Sequence, residues 1–192
     1  MSANAYMETV TSFSASLLQS LGGDTVKAAE KADTAITDMS DNANKMGTSM
    51  EAIQNAYQGF AKQNYTMLDN LKLGYGGTKE EMERLLEDAS KISGIKYDIS
   101  SFSDITDAIH IVQTEMGITG TTAKEAATTI QGSISSMKGA WQNLLTGLAD
   151  GNQDIGGLIT NVFNSMVTVA DNIIPRIQQV LQTLPNLITQ LV

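Results

Sequence analysis

Apolar residues recur along this chain at alternating steps of three and four, a spacing that lays one narrow stripe on a helix and suits a coiled-coil seam. Met50, Ile53, Tyr57, Phe60, Asn64, Met67 and Leu71 follow it and predict a single long helix. The stripe stops at Gly74, Gly76 and Gly77, which predict a hinge because glycine reaches positive φ freely. Thr78 with Glu81 three residues on has the spacing of a capping box, in which two side chains satisfy orphan N–H groups reciprocally, and so opens a further helix.

Upstream, Ala3, Tyr6, Val10, Phe13, Leu17 and Leu21 define a first helix that Gly22 and Gly23 should end. Asp24 can cap a second, with Val26, Ala29, Ala32, Ile36, Met39, Ala43 and Met46 on one face up to Gly47, where Thr48 and Glu51 predict the box that starts the third. At Gly47 the two long helices either fold back as a hairpin or run on as a kinked rod; glycine allows both. Beyond Thr78, Met82, Leu85, Leu86, Ala89 and Ile92 mark a short fourth helix stopped by Gly94. Ser101 and Asp104 open a fifth, carrying Ile105, Ala108, Ile109, Val112 and Met116 to Gly117. Thr122 and Glu125 open a sixth with Ala127, Ile130, Ile134, Met137, Trp141, Leu144 and Leu148 in one stripe. Past a turn at Asp150 and Gly151, a seventh runs from Ile155 to the last residue, with kinks expected at Pro175 and Pro185.

The pattern predicts an all-α fold: about six to seven amphipathic helices forming helical hairpins in a coiled-coil-like, elongated bundle. It divides the chain into long N-terminal helices paired as a hairpin (residues 1–73), a glycine hinge with two short helices (74–120), and long charge-poor C-terminal helices (121–192). Met50, Ile53, Tyr57, Phe60, Met67 and Leu71 are the seam candidates for self-association, with the number of copies open. Trp141 either anchors an interface or fills a core position. Gly132, Ser136, Gly139 and Ala140 either let another helix approach closely or are simply tolerated in the sixth helix.

Three strings carry a family resemblance: NAYQGFAKQNYTMLDNLKLGYGGTKEEMERLL (55–86), DAIHIVQTEMGITGTTAKEAATTIQGS (107–133) and SMKGAWQNLLTG (136–147). They are similar to strings that recur in the core region of tail tape measure proteins of tailed bacteriophages and prophages of Gram-positive hosts. Similar wording continues through SANAYMETVTSFSASLLQSLGGDT (2–25) and VADNIIPRIQ (169–178), so nearly the whole chain is covered. The resemblance implies a structural protein that threads the tail tube lumen of the virion, sets tail length, meets tail tube protein and tail assembly chaperones in the host cytoplasm, and leaves before DNA ejection. Family members usually run to many hundreds of residues, so this chain is expected to be a fragment or a truncated reading frame, in keeping with a stripe that reaches Val192 without a stop signal. A second reading is a membrane-active channel component for DNA ejection, contacting the host membrane through residues 155–192. A third, an ejected cell-wall hydrolase, finds none of its catalytic residues here.

Composition narrows these classes. A net charge of −9 and a pI near 4.4 argue against specific nucleic-acid binding, which needs clustered Lys and Arg to displace counterions, although an acidic lumen would let DNA slide past. The absence of cysteine excludes disulfides and thiolate metal sites. Of the first 100 residues 23 are charged, whereas only Lys138, Asp150, Asp154, Asp171 and Arg176 are charged from 138 onward, which marks the C-terminal third as the part to be buried or to meet a membrane. Its uncharged runs, 155–170 and 177–192, are interrupted by amides and fall short of the roughly 20 apolar residues that span a bilayer, favouring helices packed on partner helices.

Catalytic chemistry has little to work with. His110, the single histidine, sits between Ile109 and Ile111 and reads as a surface or boundary residue. Glu80, Glu81, Glu83, Glu87 and Asp88 alternate with Lys79, Arg84 and Lys91 at helical spacing, a solvated face before it is a cation site. Residues 74–79 have the wrong spacing for a phosphate-binding loop and follow a helix where such folds need a strand. No catalytic, cofactor-binding or metal-binding residue is assigned, and no enzyme is expected.

Overall fold

Side-chain caps decide where most of the helices begin. The computed structural model describes the backbone of residues 3–150 and 153–191 and the side chains of 6–150 and 153–179. Among the described residues it is all-α, with eight helices, one 3-10 turn and no strand: α1 (Ala3–Ser20), α2 (Thr25–Met46), α3 (Met50–Phe60), the turn Leu68–Leu71, α4 (Lys79–Ser93), α5 (Phe102–Glu115), α6 (Thr121–Thr128), α7 (Ile130–Leu148) and α8 (Ile155–Leu191). Asp24, Thr78 and Ser101 each accept a backbone N–H from the first turn of α2, α4 and α5, removing one orphan donor apiece. Gly47 and Gly94 close α2 and α4 in the left-handed region, at φ 67° and 73°.

Three sequence expectations need correction. The long third helix ends at Phe60 although its apolar stripe continues. Asn64, counted in that stripe, makes a local turn instead: its Oδ1 accepts the N–H and the hydroxyl of Thr66, at 3.1 and 2.8 Å, while its own N–H returns to the Gly59 carbonyl at 2.9 Å. A Cβ at Gly59 would stand 2.9 Å from the Asn64 carbonyl oxygen, so glycine permits the chain to double back there. Thr48 does not cap α3. Ser49 does, accepting the Ala52 N–H at 3.2 Å, and Thr48 Oγ1 is buried without a hydrogen bond. The sixth helix is two: Thr129 adopts an extended conformation and accepts the Gly132 N–H, capping α7 directly behind α6. At that corner a Cβ on Gly132 would collide with the Glu125 carbonyl.

The chain forms two compact units, residues 4–122 and the helices from 123 onward. The first unit holds a continuous core. Phe13 and Leu17 of α1, Met39 of α2, Ile53, Tyr57 and Phe60 of α3, Leu68 and Leu71 of the turn, Met82 and Leu85 of α4, and Ile105 and Ile109 of α5 are all buried in it. α5 packs on both α2 and α4, and the Phe13 and Phe102 rings meet edge to face at 6.0 Å.

In the second unit α7 and α8 pack antiparallel. Gly147, near the end of α7, lies against Leu158 near the start of α8, so closely that a Cβ would strike the leucine. Asn172, farther along α8, donates to the carbonyls of Ala127 and Thr129 ahead of α7, at 3.3 Å each. α8 continues through Pro175 without interruption, although the proline ring deprives it of one N–H. The part of the expected stripe from 180 to 192 lies outside the residues whose side chains are described, as does Gly151.

Candidate functional site

α7 and α8 each carry two apolar stripes, and only one of the two is used inside the pair. Leu144 and Val162 are buried between the helices, where Ser133 and Gly147 allow close approach. On the outer side, Trp141, Leu145 and Leu148 of α7 and Ile159, Phe163, Met166, Ile174 and Ile177 of α8 remain 50–64% exposed. The steps of four and three through 141, 145 and 148 and through 159, 163 and 166, with Ile174 and Ile177 two turns farther on, give each helix a second seam facing water. Between the seams lies a groove of about 360 Å³ lined by Met137, Lys138, Trp141, Gln142, Val162 and Met166. A second groove of about 520 Å³, lined by small and polar residues including Ser136, Gly139, Asn143, Asn161 and Ser165, runs along α6, α7 and α8. Gly139 of the small-residue stripe therefore lines a groove, while Gly132 serves the corner between α6 and α7.

The seam expected at 50–71 is placed differently. Ile53, Tyr57, Phe60 and Leu71 are fully buried in the core of their own unit, and Met50 and Met67 are partly buried against it, so a partner could reach them only by opening that core. Trp141, expected in a core position or an interface, is half exposed on the outer face of α7. What sequence reasoning missed is the outer seam of α8. Its inner and outer stripes interleave, and the positions Ile155, Ile159, Val162 and Met166 mix residues from both.

Gly74, Gly76 and Gly77 form a fastened corner ahead of α4. Gly74 has φ 87°, the Gly76 N–H donates to Glu81 at 2.9 Å, and Gly77 abuts the Thr66 carbonyl, where any Cβ would collide. Glu81 thus closes its box on Gly76, while Thr78 accepts the Glu81 N–H at 3.2 Å. Arg84 donates to the Gly74 carbonyl at 2.8 Å and covers the Tyr75 ring at 4.4 Å. Burial, reinforced by a hydrogen bond to Asp88, pushes the Tyr75 phenol up to about 12.

The titratable groups brought together from distant segments are Asp38 and His110. The His110 Nδ1 lies 2.9 and 3.0 Å from the two carboxylate oxygens of Asp38, which is 1% exposed. Burial raises the Asp38 carboxyl above its ordinary value, opposed by His110, and the hydrogen bond to Asp38 raises the His110 imidazole. Beside them Lys31 pairs with Asp107, and Asp41 accepts the N–H groups of Gly120 and Thr122 at 2.6 and 2.7 Å, anchoring the start of α6. These contacts bind α5 and the following loop to α2; sequence spacing could not reveal a pairing across 72 positions.

The acidic face of α4 makes ion pairs along its own helix: Lys79 with Glu83, Arg84 with Glu81, and Lys91 with Asp88. Among the described residues no group of three or more acidic or histidine side chains is placed to hold a metal ion, and no helix is long and apolar enough to cross a membrane. No protein-family model, no curated protein and no solved structure matches the chain.

Proposed function

We propose that this chain is a structural part of a tail tape measure protein, acting in the lumen of a phage or prophage tail tube, where helix length and helix packing determine tail length and assembly. No catalytic step belongs to this reading. The observation that carries it is the pair α7–α8, whose outer apolar face lies open along helices almost free of charge. Such a face suits packing against other helical or tube subunits, which would include tail tube protein and assembly chaperones. The strings at 55–86, 107–133 and 136–147 add their resemblance to the tape measure core. α8 is the element with ruler geometry: its 37 residues extend over roughly 55 Å at about 1.5 Å per residue.

The test is tail length. Removing the 37 residues of α8 in frame from the gene that encodes the chain is expected to shorten assembled tails by roughly 55 Å. Electron microscopy of the particles measures this directly. Tails of unchanged length, or particles that lack the protein altogether, would overturn the assignment.

A further inference from the structure

We propose that the outer face of α7 and α8 docks a second copy of this chain, two antiparallel pairs closing into a four-helix bundle; the proposal rests on reading that face as an assembly surface and names its partner. Trp141, Leu145 and Leu148 on α7 and Ile159, Phe163 and Met166 on α8 turn seams of coiled-coil spacing to one side. Each helix has spent its inner stripe on its neighbour, and an antiparallel pair presenting two further seams is half of a four-helix bundle.

The exposed surface is of the right size. The eight half-exposed residues of the two seams, each 50–64% exposed, present together on the order of several hundred Å² of apolar surface, the size of patch that marks a protein–protein contact. The face is also self-matching. Its groove is lined by Trp141, Val162 and Met166, and Phe163, next in sequence to Val162, is 64% exposed and not part of that lining, so a twofold axis can direct each copy's Phe163 toward the other's groove. The seams carry no charge, and Lys138 at the groove's edge is exposed, so its ammonium can remain in water. Two copies therefore meet without burying like charges, and a highly charged partner would find only Lys138 to pair with.

Sedimentation of the whole chain at about 1 to 100 μM tests the idea across the concentrations where weak standard-size interfaces form. The expected result is a mass rising to twice 20.5 kDa, with the emission of Trp141, the single tryptophan, shifting to the blue as it becomes covered. A variant carrying Leu145→Asp and Phe163→Asp should remain monomeric with unchanged helicity, since both side chains stand outside the unit's own core. Should that variant fail to fold, the concentration-dependent emission of the wild type decides alone. A chain still monomeric at about 100 μM overturns the proposal, as does a dimer untouched by the variant or a blue shift that appears only with anionic phospholipid vesicles. Shortened tails together with a monomeric chain sink the dimer alone; a dimer together with unchanged tails sinks only the tail assignment.

Discussion

A buried carboxylate facing a half-buried imidazole makes the stability of residues 4–122 depend on pH. The Asp38 carboxyl is raised from 3.8 mainly by burial, and the His110 imidazole is raised from 6.5 mainly by its hydrogen bond to Asp38. Asp41 and Asp107 face Asp38, while Asp107 and Lys31 face His110. A group whose folded value is raised contributes stability in full below its unfolded value and loses it as pH rises through the folded one. For His110 the loss begins at 6.5 and continues as pH rises through its raised folded value, so the denaturant midpoint should fall as pH is raised above 6.5. Glu81 and Asp98 carry the opposite sign: the Arg84 hydrogen bond holds Glu81, and the Ser100 N–H holds Asp98, below their ordinary values, and both contributions fade as pH drops, against the raised Asp38. Asp38→Asn keeps a hydrogen-bonding side chain but removes the charge that raises His110. The variant should lose the slope above 6.5, and an undiminished slope would remove Asp38 as its cause.

At the scale of elements, five caps were legible, while the start of α3 was assigned to Thr48 where Ser49 caps it, and the breaks at Phe60 and Thr129 were hidden. Asp24, Thr78, Ser101, Gly47 and Gly94 act through neighbours three or four residues away, so local spacing was enough to place them. The end of α3 at Phe60 was hidden because Met67 and Leu71 stay in phase with Met50 and Ile53, and the turn depends on Gly59 and Asn64 closing on each other. The glycine corner was legible as a turn, but what each glycine does there is set by its surroundings. A Cβ on Gly77 meets the Thr66 backbone, Gly74 needs φ 87°, and a Cβ on Gly76 finds only ordinary contact with Glu81 at 3.5 Å. Alanine should therefore cost most at Gly77, on the scale of about 1–3 kcal/mol for overpacking. At Gly74 the strain of positive φ costs about 1–2 kcal/mol, and at Gly76 the change should be small. Thermal melts of the three single variants give the order, and Gly76→Ala as the most damaging would contradict a packed corner.

Across the whole molecule, buried apolar surface is unevenly shared, and the candidate assembly face is a consequence of that. Among the described residues, the buried apolar side chains other than Leu144 and Val162 belong to residues 4–122. Sequence periodicity marked apolar positions in both units with equal strength, because a seam covered by its own fold and a seam awaiting a partner have the same spacing. Only packing separates Phe60, sealed among Tyr57 and Tyr65, from Phe163, left in water. Local stability follows buried contacts, so opening should be easier in α7 and α8 than in α3 or α5. In dilute solution, amide hydrogens of residues 130–148 and 155–177 should exchange at least tenfold faster than those around Ile53 and Ile109, a gap of about 1.4 kcal/mol or more. Raising the protein concentration should slow exchange in α7 and α8 alone, since mass action protects only what a second copy covers. Hydrogen exchange followed by mass spectrometry at two concentrations reads both effects, and equal protection in the two units at low concentration would contradict this division of the core.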